Sequence, residues 1–458
     1  MSRSIALALM AGGAIFMQML DGAVINVALP SIAGTFGVTP LHLNFAITVY
    51  LLSGAMVIPL SGWLADRYGA RTVFTSSMLM FTCSSLLCAL SQTYAQFIGA
   101  RILQGVGGAL MVPLGRTIVM RATSQANFVR ATSSLLVPAL LGPLIGPPFG
   151  GLIVTHASWP WIFLINVPLG LIGTGVALRL VDNARETHVA ALDLPGWTLC
   201  ALAMCLLAYG LNTIGISEEK TTPALLLLLG TVAALLYVRH ARRTAQPILN
   251  LGLLRIQSFR VAILDSGLTR MLMGALPFLL TLLLQVAFGL SAMTAGVISL
   301  ANAVGALTMR VTAPRIVARY GYRRVMIVTT LITGTSMMAY SNFNAHTAHW
   351  MIVAALLLSG YFRSLLFTVQ SSLTYVGIPR SAFSQATTLA SMSMQLALSL
   401  GVGLSASLVQ LALNRSSAPR LVARDLTVAF IVTGSIALLP VLSYLRLRVG
   451  GGAEVTRA

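Results

Sequence analysis

Gly62-Trp63-Leu64-Ala65-Asp66-Arg67-Tyr68-Gly69-Ala70-Arg71-Thr72-Val73 separates two apolar runs, each long enough to cross a membrane. It inserts three charges and a glycine that permits a tight reversal. Arginine this close to a span end belongs on the cytoplasmic side under the positive-inside rule, so the loop orients the other helices. A weaker copy, Ala318-Arg319-Tyr320-Gly321-Tyr322-Arg323-Arg324, follows the second span of a later half. Two related loops at matching places predict a duplicated membrane protein.

Composition agrees. With 57% hydrophobic and 9% charged residues, the chain reads as a polytopic membrane protein. A net charge of +19 would suggest nucleic acid in a soluble protein, but the basic residues sit in short loops between apolar runs. The only lysine, Lys220, follows Ser217-Glu218-Glu219 and no glycine-rich turn, which excludes a P-loop. Uphill work would therefore draw on an ion gradient or a partner. Cys83 and Cys88 share one apolar run, Cys200 and Cys205 another. A spacing of five turns a helix by about 140°, so neither pair faces itself and no disulfide framework is expected.

Fourteen apolar runs, from 5–29 to 427–447, have spanning length. The expected class is all-α: two six-helix halves, 1–181 and 258–458, with a two-helix insertion in 182–257. Segments assigned to the inner side carry twenty arginines, among them Arg3, Arg121, Arg130, Arg380, Arg448 and Arg457. Outer segments carry only Lys220, Arg415, Arg420 and Arg424, which places both termini in the cytoplasm. The inserted spans hold no charge within them and are expected at the periphery; a re-entrant pair, leaving twelve spans, is the alternative.

Five arginines remain at membrane depth, Arg101, Arg116, Arg270, Arg310 and Arg363, against two acids, Asp21 and Asp265. Each costs about 2.5–3.5 kcal/mol on insertion scales, so it should face the interior or a cavity. Arg116 and Arg310 lie near span ends and could snorkel. Asp21 lies about 13 Å below the outer end of its span and Arg101 about 8 Å below the same surface, so the two could meet. Such a pair is either proton-sensitive or a static ion pair. Asp265 and Arg270, five residues apart, do not share a helix face.

Gly142, Gly146 and Gly150 recur every fourth residue, giving a smooth strip against which a helix can pack closely. Gly151 extends it, and Pro143, Pro147 and Pro148 remove backbone donors and bend the helix. A bent helix on a close seam suits a gate.

These elements stand in order with Leu20-Asp21-Gly22-Ala23-Val24-Ile25-Asn26, Arg101-Ile102-Leu103-Gln104-Gly105-Val106-Gly107-Gly108 and Trp159-Pro160-Trp161 through Asn166-Val167-Pro168. Together they resemble the major facilitator superfamily, specifically its fourteen-span drug:proton antiporters of the EmrB/QacA type, in the MdtD-like branch. The resemblance covers nearly the whole chain. It implies that Gly62, Asp66, Arg67, Gly69 and Arg71 latch the outward-facing state. It also implies that Asp21 and Arg101 serve proton coupling and that the glycine–proline run marks an antiporter. Pro314 and Ala318 depart from the loop pattern, so the second copy's part in a latch is in doubt.

The function expected is proton-coupled export of drugs or other small molecules across a bacterial inner membrane by alternating access. Gln104, Asp265, Arg270, Met273, Gln285, Arg363 and Gln370 are candidates for the wall of a cavity between the halves. The excess of deep arginine leaves export of organic anions or metal chelates as an alternative, and a transporter-like sensor or scaffold as one from another class. No nucleophile–base constellation points to an enzyme, and His346 and His349 have no Cys or acid beside them to make a metal site. No cofactor is expected; the partners are a small molecule, protons and lipid, without nucleic acid, and the chain is expected to act as a monomer.

Overall fold

The structure is a computed structural model that describes residues 3–122, 128–183, 185–186, 189, 191–214, 219, 221–379, 382–416 and 421–446. Lys220, Arg380, Arg420, Arg448 and Arg457 of the charge census lie outside the described residues, as do the side chains of Arg3, Arg121 and Arg130.

Among the described residues every regular element is a helix. This follows from the apolar runs, because only a helix or a closed barrel satisfies its own backbone in lipid. In chain order they are α1 (Arg3–Thr35), α2 (Pro40–Val57), α3 (Ser61–Tyr68), α4 (Ala70–Leu90), α5 (Tyr94–Ala122), α6 (Phe128–His156), α7 (Trp161–Leu164), α8 (Asn166–Leu180), α9 (Leu194–Thr213) and α10 (Thr221–Ala241). There follow α11 (Gln257–Arg260), α12 (Ser266–Thr281), α13 (Ala292–Ala339), α14 (His349–Leu373), α15 (Phe383–Arg415), α16 (Ala423–Leu438) and α17 (Val441–Tyr444).

Among the described residues twelve helical stretches are long and apolar enough to cross a membrane. One of them, Ala292–Asn342, has 51 residues and breaks at Gly321, whose φ of 76° and ψ of 157° are not helical. Gly69 makes the corresponding break between α3 and α4 at φ 91°. Both loop copies thus reverse at a glycine in the left-handed region, where a side chain would be strained.

The chain divides into two compact units, Met1–Trp197 with Ser291–Gly296, and Thr198–Leu290 with Val297–Ala458. In the first, α1 packs on α6, and α5 lies between α2 and α4. Its core joins Leu7, Ile15, Phe74, Met78, Phe81 and Met111. In the second, α12, α15 and α16 pack on one another, and Met309, Met326, Leu365, Val369 and Tyr444 form a core. Large apolar side chains such as Ile172 (66%) and Leu235 (64%) face outward, as lipid contact requires. The inserted α10 is the least buried span, with 22% of its most apolar stretch inside; α9 is held by the Ser407 hydroxyl, which donates to the Leu211 carbonyl.

Candidate functional site

The charged centre of the first unit grows out of two close helix crossings. The glycine strip of α6 faces α1 at Asp21's own turn. A Cβ built on Gly142 would stand 2.7 Å from Met19 Cβ, one on Gly146 2.6 Å from Ala23 Cβ, and one on Gly150 2.7 Å from Val24 Cγ1. Only hydrogen at these positions lets the two backbones come so near. On α5, a Cβ on Gly107 would meet the Phe81 amide at 2.7 Å, so α5 and α4 also touch backbone to backbone.

That packing brings Asp21 and Arg101 together, with side chains 1% and 0% exposed. Arg101 Nη1 donates to Asp21 Oδ2 at 2.8 Å and to Gln104 Oε1 at 2.5 Å. Gln104 Nε2 donates to Asp21 Oδ1 and to Ser85 Oγ, each at 2.9 Å. Asn166 Nδ2 donates to Asp21 Oδ1 at 3.3 Å. The carboxylate thus accepts from three side chains on two other helices. Arg101 Nε and Nη2 have no hydrogen-bond partner among the described residues. Instead the guanidinium carbon lies 4.2 Å from the centroid of the Tyr50 ring, a cation–π contact.

Aromatic rings close the Thr35 end of this centre. Phe97 packs edge-on against Trp159 at 5.9 Å and Phe163 at 5.7 Å, and Phe36 joins at 5.4 Å from Phe97. Trp159 Nε1 donates to Thr35 Oγ1 at 2.9 Å, which ties the cluster to the end of α1. Each such aromatic pair adds about 0.5–1.5 kcal/mol beyond area burial, and together they exclude water from the ion pair.

The loop of Gly62, Asp66, Arg67, Gly69 and Arg71 forms α3, the reversal and the start of α4. Arg67 is exposed, and Asp66 and Arg71 are half-buried. The segment after α8 folds back over it. Glu186 N donates to the Asp66 carbonyl at 3.0 Å. Asn183 Oδ1 accepts from Thr72 N at 3.3 Å, and its Nδ2 donates to Thr72 Oγ1 at 3.0 Å. Asn183 therefore caps α4 from outside the helix, because Gly69 at the cap position has no side chain to do so. In the second copy, Arg323 Nη2 donates to the Leu445 carbonyl at 2.6 Å.

Gly151 and the prolines of α6 make a further close contact within this unit. A Cβ on Gly151 would lie 2.8 Å from Met293 Cα, and one on Gly296 2.8 Å from the Pro147 carbonyl carbon. The proline run is thus pressed against the first turns of α13; Pro143 is exposed.

The second unit carries the other candidates. Gln370 is 1% exposed, donating through Nε2 to Thr269 Oγ1 at 2.9 Å and to the Tyr444 hydroxyl at 3.0 Å. Arg270 is 3% exposed. Arg363 donates through Nη2 to Asn302 Oδ1. Asp265, Met273 and Gln285 are half-buried, and Asp265 and Gln285 lie in the π-helical turns Val261–Asp265 and Leu282–Ala287 that flank α12. Arg116 and Arg310 are exposed.

Gln104 differs from its expected place on a cavity wall. It is 0% exposed and serves the Asp21–Arg101 pair, because its position three residues after Arg101 points it at the same carboxylate. Tyr50, Ser85 and Asn166 complete the centre and were not anticipated as functional. Asn166 lay inside the Trp159–Pro168 run and could have been found there; Tyr50 and Ser85 carry no local signal.

The sequence model of the Major Facilitator Superfamily matches residues 11–254 and 261–455. Multidrug resistance protein MdtD of Salmonella heidelberg and that of Salmonella typhi are each 38% identical over 397 residues, spanning 86% of this chain and 84% of theirs. Among solved structures, the POT family transporter PepTSo superposes with TM-score 0.71 at 13% identity over 100% of this chain and 99% of its own. The human organic anion transporter MFSD10 gives 0.64 at 15% identity over 97% and 100%. A D-xylose-proton symporter gives 0.69 at 16% identity over 98% of each chain. Likeness at these identities speaks for the fold alone.

Proposed function

The chain belongs to the major facilitator superfamily, as a multi-pass transporter of the bacterial inner membrane and not an enzyme, and from that premise we propose that it exports drugs or similar small molecules in exchange for protons. The reading takes the fourteen-span arrangement with both termini in the cytoplasm, and alternating access as the mode of transport. The observation that carries it is the buried Asp21–Arg101 pair, 2.8 Å apart and closed to solvent. Protonating Asp21 removes the charge that holds Arg101, whose remaining partners are a neutral amide and the Tyr50 ring. A proton thereby changes the contacts between α1 and α5, which is the differential interaction a conformational change needs. Resemblance over most of their length to multidrug resistance proteins supports a drug-like cargo.

The test is export from proteoliposomes. With the proton gradient imposed, ethidium leaves against its own gradient; dissipating the proton gradient stops it, and ATP depletion at a clamped gradient does not. Transport that continued without any ion gradient would sink the antiport reading.

A further inference from the structure

Arg270 is buried to 97%, counting from its 3% exposure, yet its Nε and Nη1 have no hydrogen-bond partner among the described residues. A guanidinium stays protonated in proteins, and leaving its donors dry is more costly than leaving an amide dry. The electrostatic neighbours of Arg270 are the phenols of Tyr444 and Tyr375. The Gln370 amide, which shares Tyr444 with it, is already engaged with Thr269 and Tyr444. Asp265, the nearest acid along the chain, has Ser443 and Arg260 as its own neighbours.

Arg101 shows what a settled buried arginine looks like here: a carboxylate at 2.8 Å and an aromatic ring across the guanidinium face. Arg363 repeats the unsettled pattern, with Nη1 buried and unbonded while Nη2 reaches Asn302. The other arginine-lined space in this unit, a cavity of about 630 Å³ bordered by Arg415 and Arg424, is a different case. Asp425 borders it as well, and both arginines are exposed, so their charges are hydrated.

We propose that Arg270 anchors the carboxylate of an organic-acid substrate. Nη2 adjoins each of the two unbonded nitrogens in the guanidinium plane, so either edge offers a carboxylate the two-bond fork that favours planar anions. Of the two phenols, Tyr375 is 40% exposed and Tyr444 is buried. One guanidinium without a second cation in its immediate surroundings suits a monoanion. The assignment rests on the transporter reading only in making the bound acid cargo; occupancy is an equilibrium property and needs no gradient.

The experiment uses the purified full chain in detergent, titrated with benzoate and followed by melting temperature and calorimetry, with sodium chloride at equal ionic strength as a second arm. Benzoate should raise the melting temperature of the parent, and Arg270→Gln should weaken its binding by about tenfold or more, the loss expected for hydrogen bonds to a charged group. Arg270→Gln itself should melt no lower than the parent, since the unanswered charge is gone. Should that variant not fold, Arg270→Lys decides, because it keeps the charge and loses the fork and must still weaken benzoate. Equal affinity in parent and variants, no benzoate binding at all, or chloride matching benzoate would each overturn the site. Ethidium export by the parent, run alongside, fails or succeeds independently and so tests the exporter reading by itself.

Discussion

Arg101 and Asp21 meet at 2.8 Å across two helices, and neither side chain is more than 1% exposed. The pair is held by side chains from the same unit: Gln104 to both partners, Asn166 to the carboxylate, the Tyr50 ring to the guanidinium face. A buried ion pair of this kind is weak evidence for net stability, because desolvation offsets much of the attraction. Breaking it from one side is another matter.

Asp21→Ala leaves Arg101 charged in a dry site. Detergent melting should show a loss of about 3–5 kcal/mol, with export abolished. Asp21→Asn keeps the shape and one acceptor oxygen, so it should fold better than Asp21→Ala while remaining inactive. Replacing both residues, Asp21→Asn with Arg101→Gln, should recover stability relative to Asp21→Ala. A double variant less stable than both singles would refute the coupling.

Gly146→Leu presses a side chain into Ala23, which already lies 2.6 Å from where the first carbon would go. The overpacking cost is about 1–3 kcal/mol, and α1 must move away from α6. Since Asp21 sits on the α1 turn that the strip faces, the Arg101 contact loosens with it. Gly13→Leu, on the same helix α1 with open space beside it, is the control. Equal melting temperatures for the two variants would discount the strip.

Asn183→Ala removes the external cap on α4 and leaves Thr72 N without its side-chain acceptor. The expected loss is about 1 kcal/mol. Hydrogen exchange should rise at the amides of Gly69 to Thr72, and protection left unchanged there would remove Asn183 from the loop's support.

Asp66→Asn keeps the fold and insertion but, on the latch reading of this loop, shifts the protein away from the outward-facing state. Crosslinking that reports the same populations in parent and variant would take that role from Asp66.

The helical architecture was legible because lipid permits so few alternatives, and because glycine and arginine punctuate the spans. Asp21 and Arg101 were legible as a pair from depth alone, since a charge so far from either surface must find a partner. The glycine strip announced a close crossing by its period of four, without naming α1 as the helix that fills it. Gln104's place beside Asp21 was not legible because spacing along α5 sets only its face, and what that face meets depends on α1 and α4. Tyr50 and Ser85 are ordinary residues in apolar runs, and only the packing of α2 and α4 around α5 gives them a task. Asn183 could not be foreseen at all: a cap supplied from 111 positions away leaves no trace in the local pattern.

The wide turns at Val261–Asp265 and Leu282–Ala287 bracket α12 on both sides. Such a turn holds about one residue more than the α turn it replaces. Each is therefore a stored insertion. Deleting one residue within 261–265 could let the ladder close as ordinary helix, shortening the span by about 1.5 Å. Everything before the deletion would swing by about 100° relative to α12. With Asp265 retained, it and Arg270 would keep the walls they face while Phe259 and Arg260 turned to others, so the length of this segment, and not only its composition, decides where the residues before α12 point.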